Sequence, residues 1–423
     1  MDLVTRKPKL LFVGDACAST GFAKASHCYL DALKEDYDIT VLGLNYFGDP
    51  HTWPYPMYVA IAAGDAFGVN RIGQMCDLVR STVQVGARRV PVPKEQWSGP
   101  DVIIIQNDPW DIPPYVKALE SWDKGLYGNV PRVGVIAVDA ENCMGHALNG
   151  LQLAVFWTRF ALDEARKGGF EQPGCVIPLG VDLSIYHPVD KVQARRRLGL
   201  PPTLDASFIV GNVNRNQPRK RWDLTMRYFA KWAHSGPLKD AYIMLHVAPT
   251  GDSGIDVVQL ATYYGVQGRL AYYEPPMVYG VSEDRMRDTY NAFDVQVNTG
   301  QGEGFGLTTI EGMACGIPQI VGDWSGLGEW AKPAARLVPC TATAINTVVP
   351  FLNTVGGVPD EKLFVAELEQ MYRNTKFREQ VREKGLKLVQ QPEFRWKLIG
   401  QQLRSAVNVI MQEQTKQKEE ATA

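Results

Sequence analysis

Gly302-Glu-Gly-Phe-Gly-Leu-Thr-Thr-Ile-Glu-Gly-Met-Ala-Cys-Gly-Ile317 sets two carboxylates, Glu303 and Glu311, eight positions apart across a glycine-rich turn that opens a short helix. The run before it, Phe293-Asp-Val-Gln-Val-Asn-Thr299, reads as a buried strand, and Gly316-Ile-Pro318 stops the helix ahead of a second strand at Gln319-Ile-Val321. The element is strand, loop, helix, strand. Gly302, Gly304 and Gly306 let the backbone approach a ligand closely, while the first amides of the helix point unpaired toward an anion. With the helix starting near Leu307, Glu311 lies about one turn inside it and Glu303 stays in the loop, so the carboxylates are on the order of 10 Å apart. One small ligand spans that distance.

Outward from this stretch, short apolar strands alternate with amphipathic helices, the pattern of parallel sheets in doubly wound α/β layers. Lys9-Leu-Leu-Phe-Val13 is the first strand; it leads through Gly14-Asp-Ala-Cys-Ala-Ser-Thr-Gly21 into a helix ending near Ala32, and Ile39-Thr-Val-Leu-Gly-Leu44 follows. Asp101-Val-Ile-Ile-Ile-Gln106 and Val133-Gly-Val-Ile-Ala-Val138 continue the series and end in Asn107-Asp108 and Asp139-Ala-Glu141. Ligands of open α/β sheets gather beyond such strand ends. A second series begins at Phe208-Ile-Val-Gly-Asn212 and continues with Ala241-Tyr-Ile-Met-Leu-His-Val247, Leu270-Ala-Tyr-Tyr273 and the two strands around the glycine-rich stretch. The hinge is expected near Val181 to Pro188, the last long helix over Phe394 to Gln412, and a polar, frayed tail beyond.

At 423 residues the chain exceeds what one core organises, so two domains of about 200 residues each are expected. Forty-five per cent hydrophobic residues fill both cores, and a formal net charge of −2 argues against an overall affinity for nucleic acid or anionic membrane. Seven cysteines, scattered and without CxxC pairs, read mostly as small buried apolar residues in a reducing, cytoplasmic setting. The amino terminus lacks an apolar signal core and no apolar run reaches a membrane span, so neither export nor anchoring is expected.

The E-x7-E spacing of Glu303 and Glu311 resembles that of retaining glycosyltransferases of the GT-B fold, especially glycosyltransferase family 4. Val176-Ile-Pro-Leu-Gly-Val-Asp182 with Tyr186-His-Pro188 resembles the family's interdomain segment, and Gly280-Val-Ser-Glu-Asp-Arg-Met286 with Tyr290-Asn-Ala-Phe-Asp294 resembles its approach to the donor site. The likeness covers about two thirds of the chain. It implies two Rossmann-like domains facing a cleft: residues 1–184, completed by a returning helix over 394–423, on the acceptor side, and residues 185–393 on the donor side. It also implies that Glu303 contacts the donor sugar and Glu311 the nucleotide ribose, with Gly304, Phe305, Gly306, Leu307 and Thr308 as the rest of that donor corner. The donor is then a nucleoside-diphosphate sugar, and no cofactor or metal is expected.

A departing diphosphate needs fixed positive charge, and Asn214-Arg-Asn-Gln-Pro-Arg-Lys-Arg-Trp222 supplies it after the first strand of the second half. Arg215 and Lys220 match the family's Arg and Lys pair there, with Arg219 or Arg221 as alternatives for either role. Ser19-Thr-Gly-Phe22 offers amides and hydroxyls at a helix start, with Gly21 as its candidate donor contact. Asp139, with Glu141, sits where the family places a sugar-contacting group. Asp36-Tyr-Asp38 spells a metal-binding D-x-D but precedes a strand, and reads as a solvated turn. Six histidines show no pair at zinc spacing. The expected activity is transfer of a sugar, with retention, to an acceptor hydroxyl on a saccharide, a protein or a hydroxylated DNA base. An epimerase or phosphorylase of the same fold and a noncatalytic nucleotide-sugar-binding protein are the alternatives. Aromatic loops His51–Tyr58 and Asp108–Tyr115 are acceptor-side candidates, and Arg88-Arg89 and Arg195-Arg-Arg197 are candidate phosphate contacts.

Overall fold

A computed structural model describes residues 6–18, 20–62, 64–236, 240–247, 254–273, 280–349 and 352–422; Ser19 of the first glycine loop lies outside the described residues. In chain order the first half carries β1 (Lys9–Asp15), β2 (Asp38–Leu44), β3 (Met57–Val59), a two-stranded ribbon of β4 (Thr82–Val85) and β5 (Arg88–Pro91), then β6 (Val102–Asn107), β7 (Arg132–Ile136), β8 (Leu153–Phe156) and β9 (Gly174–Val176). All but the ribbon form one parallel sheet in the order β3-β2-β1-β6-β7-β8-β9. The second half carries β10 (Phe208–Val213), β11 (Ala241–His246), β12 (Leu270–Tyr273), β13 (Val295–Asn298), β14 (Gln319–Asp323), β15 (Arg336–Val349) and β16 (Leu352–Pro359). Its order is β12-β11-β10-β13-β14-β15-β16, parallel except for the antiparallel β15–β16 hairpin.

The buried apolar runs become central strands because helices cover both faces of each sheet; β1, β2 and β6 are buried along their whole length. In both sheets the strand order reverses beside the first strand, between β1 and β6 and between β10 and β13. Those two switch points are where an open α/β sheet leaves a crevice at its carboxyl edge. Asp15 and Asp108 stand at the first; Arg215, Lys220 and Glu303 follow the strands of the second.

The halves are joined by two crossings that touch, the Val181 amide donating to the Phe394 carbonyl at 3.0 Å. One apolar cluster runs from β1 through Leu179, Val181 and Tyr186 to Phe305, Ile310 and Met313, and on to Ile399, Leu403 and Val407 of the last helix. That helix, Trp396–Thr422, packs on helix Gly21–Leu33: Gly400 lies so close to Ala32 that an added Cβ would meet the Ala32 Cβ at 2.0 Å. It continues through the tail expected to fray, a stretch of Gln, Lys, Glu and Thr with neither Gly nor Pro to stop it.

Other expectations need correction. The Asp36-Tyr-Asp38 stretch is a solvated turn only at Asp36, which is exposed and pairs with Arg404 at 2.7 Å; Tyr37 is buried and donates to Asn408 at 2.5 Å, and Asp38 is buried and pairs with Arg89. Arg195 is no phosphate contact either. It is fully buried, donates to the carbonyls of Leu204, Asp205, Ser207 and Ala292, and pairs with Asp294 at 2.8 Å. Arg196 and Arg197 are held by Asp205 and Asp288. Of the seven cysteines, all free, Cys76, Cys143 and Cys315 are buried, and the other four are partly exposed. Among the described residues no helix is long and apolar enough to cross a membrane.

Candidate active site

Glu303 follows β13 through a tight loop whose shape Ser325 fixes from β14's far end. The Ser325 hydroxyl accepts from the Glu303 amide at 2.9 Å and lies 3.2 Å from the Glu303 carbonyl. Ser325 itself holds a φ of +50°, a conformation that costs a non-glycine residue energy and so marks a site the surroundings enforce. The Glu303 carboxylate is buried. Lys220 donates to it at 2.5 Å and Asn298 at 3.1 Å, and Arg219 lies 3.9 Å from its second oxygen. Burial works against the charge of Glu303, but Lys220 and Arg219 outweigh it and hold the carboxyl below its usual range. Lys220 is pulled down to about 8 by burial and then by Arg219, with Glu303 opposing.

Arg219 reaches across the cleft, 3.0 Å from Asp139 of the first domain, and donates to the Gly302 carbonyl at 3.2 Å. Gly302 is there because nothing larger fits: an added Cβ would sit 1.8 Å from the Asp139 carbonyl oxygen. Of the alternatives in the basic stretch, Arg219 thus joins Lys220 in the charge cluster, whereas Arg221 is bound bidentately by Asp223 beside it. Arg215 is exposed at the end of β10, and its charge acts on Asp15 opposite.

Two helix starts converge here. Helix Gly21–Leu33 is capped by Thr20, whose hydroxyl accepts from the Ala23 amide and donates to Asp15 at 2.5 Å. Helix Leu307–Ala314 begins after Gly306, at φ +93°, with no side chain capping it. A Cβ on Gly21 would touch the Leu307 side chain at 3.3 Å, so the two amino-terminal ends lie close together across the cleft, and the dipole of each favours an anion placed beside it. Phe305 is differently disposed: its side chain is buried and stacked on Trp330, ring centroids 4.9 Å apart. Thr308 and Leu307 are half-buried, and Gly304 lies against Trp157 of the first domain.

Glu311, inside the helix, has each oxygen held: Lys24 of the first domain donates to one at 2.6 Å and Tyr290 to the other at 2.6 Å. Lys24, Asn298, Ser325 and Tyr290 escaped the sequence reading as site residues. Asn298 and Tyr290 stood within recognised stretches without being singled out, and nothing local marked Lys24. The Glu141 backbone bridges to Val355 of β16, with hydrogen bonds of 3.0 and 3.1 Å, and Glu329 accepts from the Arg159 and Phe160 amides at a first-domain helix start. Trp53 and Tyr55 of the first aromatic loop are committed to packing. Trp53 stacks on His27, which shares a hydrogen bond with the Tyr55 hydroxyl at 2.7 Å.

Asp108, at the end of β6, is raised to about 7 by burial and then by the charge of Asp139. A carboxyl raised above its unfolded value binds a proton that the unfolded chain has already released. Stability from this group is therefore present below its ordinary range near 4 and lost as pH rises toward 7. Asp108→Asn is expected to raise the melting temperature at pH 8 and to change it little at pH 4. A difference independent of pH would show that Asp108 titrates normally.

The family model described as "Family 4 Glycosyltransferase in conflict systems" matches residues 165–403, more than half of the chain and most of the second domain. D-inositol 3-phosphate glycosyltransferase of Rhodococcus jostii (strain RHA1) is 33% identical over 157 residues, 36% of this chain and 33% of that protein. The same-named protein of Nocardia farcinica (strain IFM 10152) is 26% identical over 279 residues, 62% of this chain and 58% of that protein, so the chain spans between a third and somewhat over half the length of these relatives. Among solved structures, sucrose-phosphate synthase from Thermosynechococcus elongatus superposes with a TM-score of 0.70 at 16% identity, over 96% of this chain and 100% of that one. Anabaena HepE in complex with UDP-glucose gives 0.66 at 16% identity, over 95% and 99%. These likenesses show the fold, the two-domain GT-B arrangement. With the family model spanning more than half of the chain, the chain belongs to the family 4 glycosyltransferases of conflict systems.

Proposed function

We propose that the chain transfers a sugar, with retention of anomeric configuration, from a nucleoside-diphosphate sugar to an acceptor hydroxyl in the cleft. The strongest support is the buried Lys220–Glu303 pair at the switch point of the second sheet, with Arg219 beside it and Asp139 facing it from the first domain. A buried carboxylate held ionised next to two cations is a place where charge is arranged in advance of the reaction.

In this reading Glu303 accepts hydrogen bonds from the donor sugar, and Glu311 from the ribose hydroxyls. Lys220 and Arg219, with Arg215 at the rim, meet the diphosphate as the bond from its oxygen to the anomeric carbon breaks. Fixed cations take that charge without a metal ion. The acceptor hydroxyl forms the new bond from the same face and passes its proton to the departing phosphate oxygen, so atoms and charge balance. Asp139 orients Arg219 and closes the acceptor side. The glycine-rich turn, Gly304 and Gly306, and the two converging helix starts at Gly21 and Leu307–Thr308 enclose the phosphates.

Proton NMR of the glycosylated product, made in the presence of EDTA, tests both features. The expected result is an anomeric coupling matching the donor's and an undiminished rate. An inverted product, or a rate restored only by a divalent ion, would refute retention or metal independence respectively.

A further inference from the structure

Lys24 lies on helix Gly21–Leu33 of the first domain, 287 positions from Glu311. Its ammonium has three hydrogens and three partners: Glu311 at 2.6 Å, the Tyr186 hydroxyl at 2.9 Å and Glu283 at 3.0 Å. The partners come from different places: Glu311 from the helix after the glycine-rich turn, Glu283 from helix Glu283–Asn291, and Tyr186 from the segment joining the domains. Tyr186 also donates to Glu283, and its ring lies 4.2 Å under the Lys24 ammonium. Tyr186 and Tyr290 are buried edge to face, ring centroids 5.8 Å apart. One ammonium therefore links the first domain, the hinge and the helix bearing Glu311.

The stoichiometry at Glu311 leaves acceptor positions unfilled. A carboxylate accepts at about four lone-pair positions, and Lys24 and Tyr290 occupy one on each oxygen. One position per oxygen remains, enough for the two hydroxyls of a vicinal diol. With both oxygens held, the carboxylate plane is fixed before the diol arrives, which removes an ordering cost from binding. Burial disfavours charge on Lys24, but Glu311 and Glu283 outweigh it and keep the ammonium protonated.

We propose that Lys24 is a positioning residue of the donor site, supplied by the first domain: it orients the Glu311 carboxylate toward the ribose diol and so couples ribose binding to contact between the two domains. The inference rests on the reading of Glu311 as the ribose acceptor. A donor-side half alone then binds nucleotide with a loose carboxylate, and closure completes the ribose site.

Calorimetric titration of UDP, GDP and ADP, each against its 2′-deoxy form, into parent, Lys24→Met, Lys24→Arg, Glu311→Ala and the Lys24→Met/Glu311→Ala double variant tests this, with thermal melts confirming folding. For the diphosphate that binds, Lys24→Met is expected to weaken the ribose form about tenfold, since the hydrogen bonds at stake involve a charged group. The deoxy form should change much less, Lys24→Arg should recover part of the loss, and the double variant should be no worse than Glu311→Ala. Parent-like binding by Lys24→Met, equal losses for both sugar forms, or losses that add in the double variant would overturn the role of Lys24 while leaving Glu311 in place. Parent-like binding by Glu311→Ala would instead remove the ribose reading itself, and the inference with it.

Discussion

Lys220→Met should reduce sugar transfer by about 10² to 10³ in turnover, the scale of losing one preorganised group aimed at charge that develops in the transition state. Affinity for the unphosphorylated nucleoside should change little, because the ammonium acts on the diphosphate. The substitution also leaves Glu303 buried, 9% exposed, without its nearest cation, and breaking such a pair costs about 3–5 kcal/mol. Asn298 and Arg219 remain beside the carboxylate, so the loss falls toward the lower end of that range. Adding Glu303→Gln removes the uncompensated charge. The double variant is expected to regain most of the stability in urea denaturation and none of the turnover. Recovery of both together would mean that the pair only holds the loop in shape. The same charge gives a pH signature: burial and Arg219 pull the Lys220 ammonium of the ligand-free protein down to about 8, so kcat/KM falls as pH rises through that value and the ammonium is lost.

Gly302→Ala is expected to disable the enzyme by a different route. The new methyl would stand 1.8 Å from the Asp139 carbonyl oxygen, a backbone atom of the opposite domain with no rotamer to yield. Relief comes from moving the domains apart by about an ångström, and a misplacement of that size costs on the order of 10²-fold when reacting groups are split between two walls. Nucleoside diphosphate affinity should fall less, by no more than the loss expected for Lys24→Met, because Glu303, Glu311 and Lys220 all belong to the second domain and Lys24 alone of these contacts reaches them from the first. Steady-state kinetics alongside calorimetry reads the split. A variant with parent-like turnover would show that the cleft is not held at this spacing during the reaction.

The doubly wound fold was legible because its central strands are covered on both faces and so appear as unbroken apolar runs such as Leu10–Val13 and Val102–Ile105. The glycine-rich turn was equally plain, since backbone conformation and close approach demand glycine at Gly302 and Gly306. Hidden were the features whose causes are distant. β15 and β16 form a hairpin in which Thr341, Ala342, Thr343 and Ile345 of β15 are exposed, and Thr341-Ala-Thr-Ala344 alternates only small, weakly contrasting residues, too faint a pattern to announce it. Arg195 and Arg89 looked like part of basic patches, yet each is buried on a carboxylate far along the chain, Asp294 and Asp38. A charge run reads the same whether it faces solvent or a buried partner. Lys24 failed for the same reason, its partner being contributed by the other domain.

Mass spectrometry of the purified chain incubated with UDP-, GDP- and ADP-linked hexoses and a mixture of saccharide, protein and hydroxymethylated-DNA acceptors tests whether the Lys220–Glu303–Arg219 cluster belongs to a nucleotide-sugar transferase. The predicted result is one hexose added to an acceptor for each nucleoside diphosphate released, lost in Glu303→Gln and in Lys220→Met. Binding of a nucleotide sugar without turnover on any acceptor, or conversion of the donor to an epimer or a sugar phosphate in place of a glycoside, would contradict it.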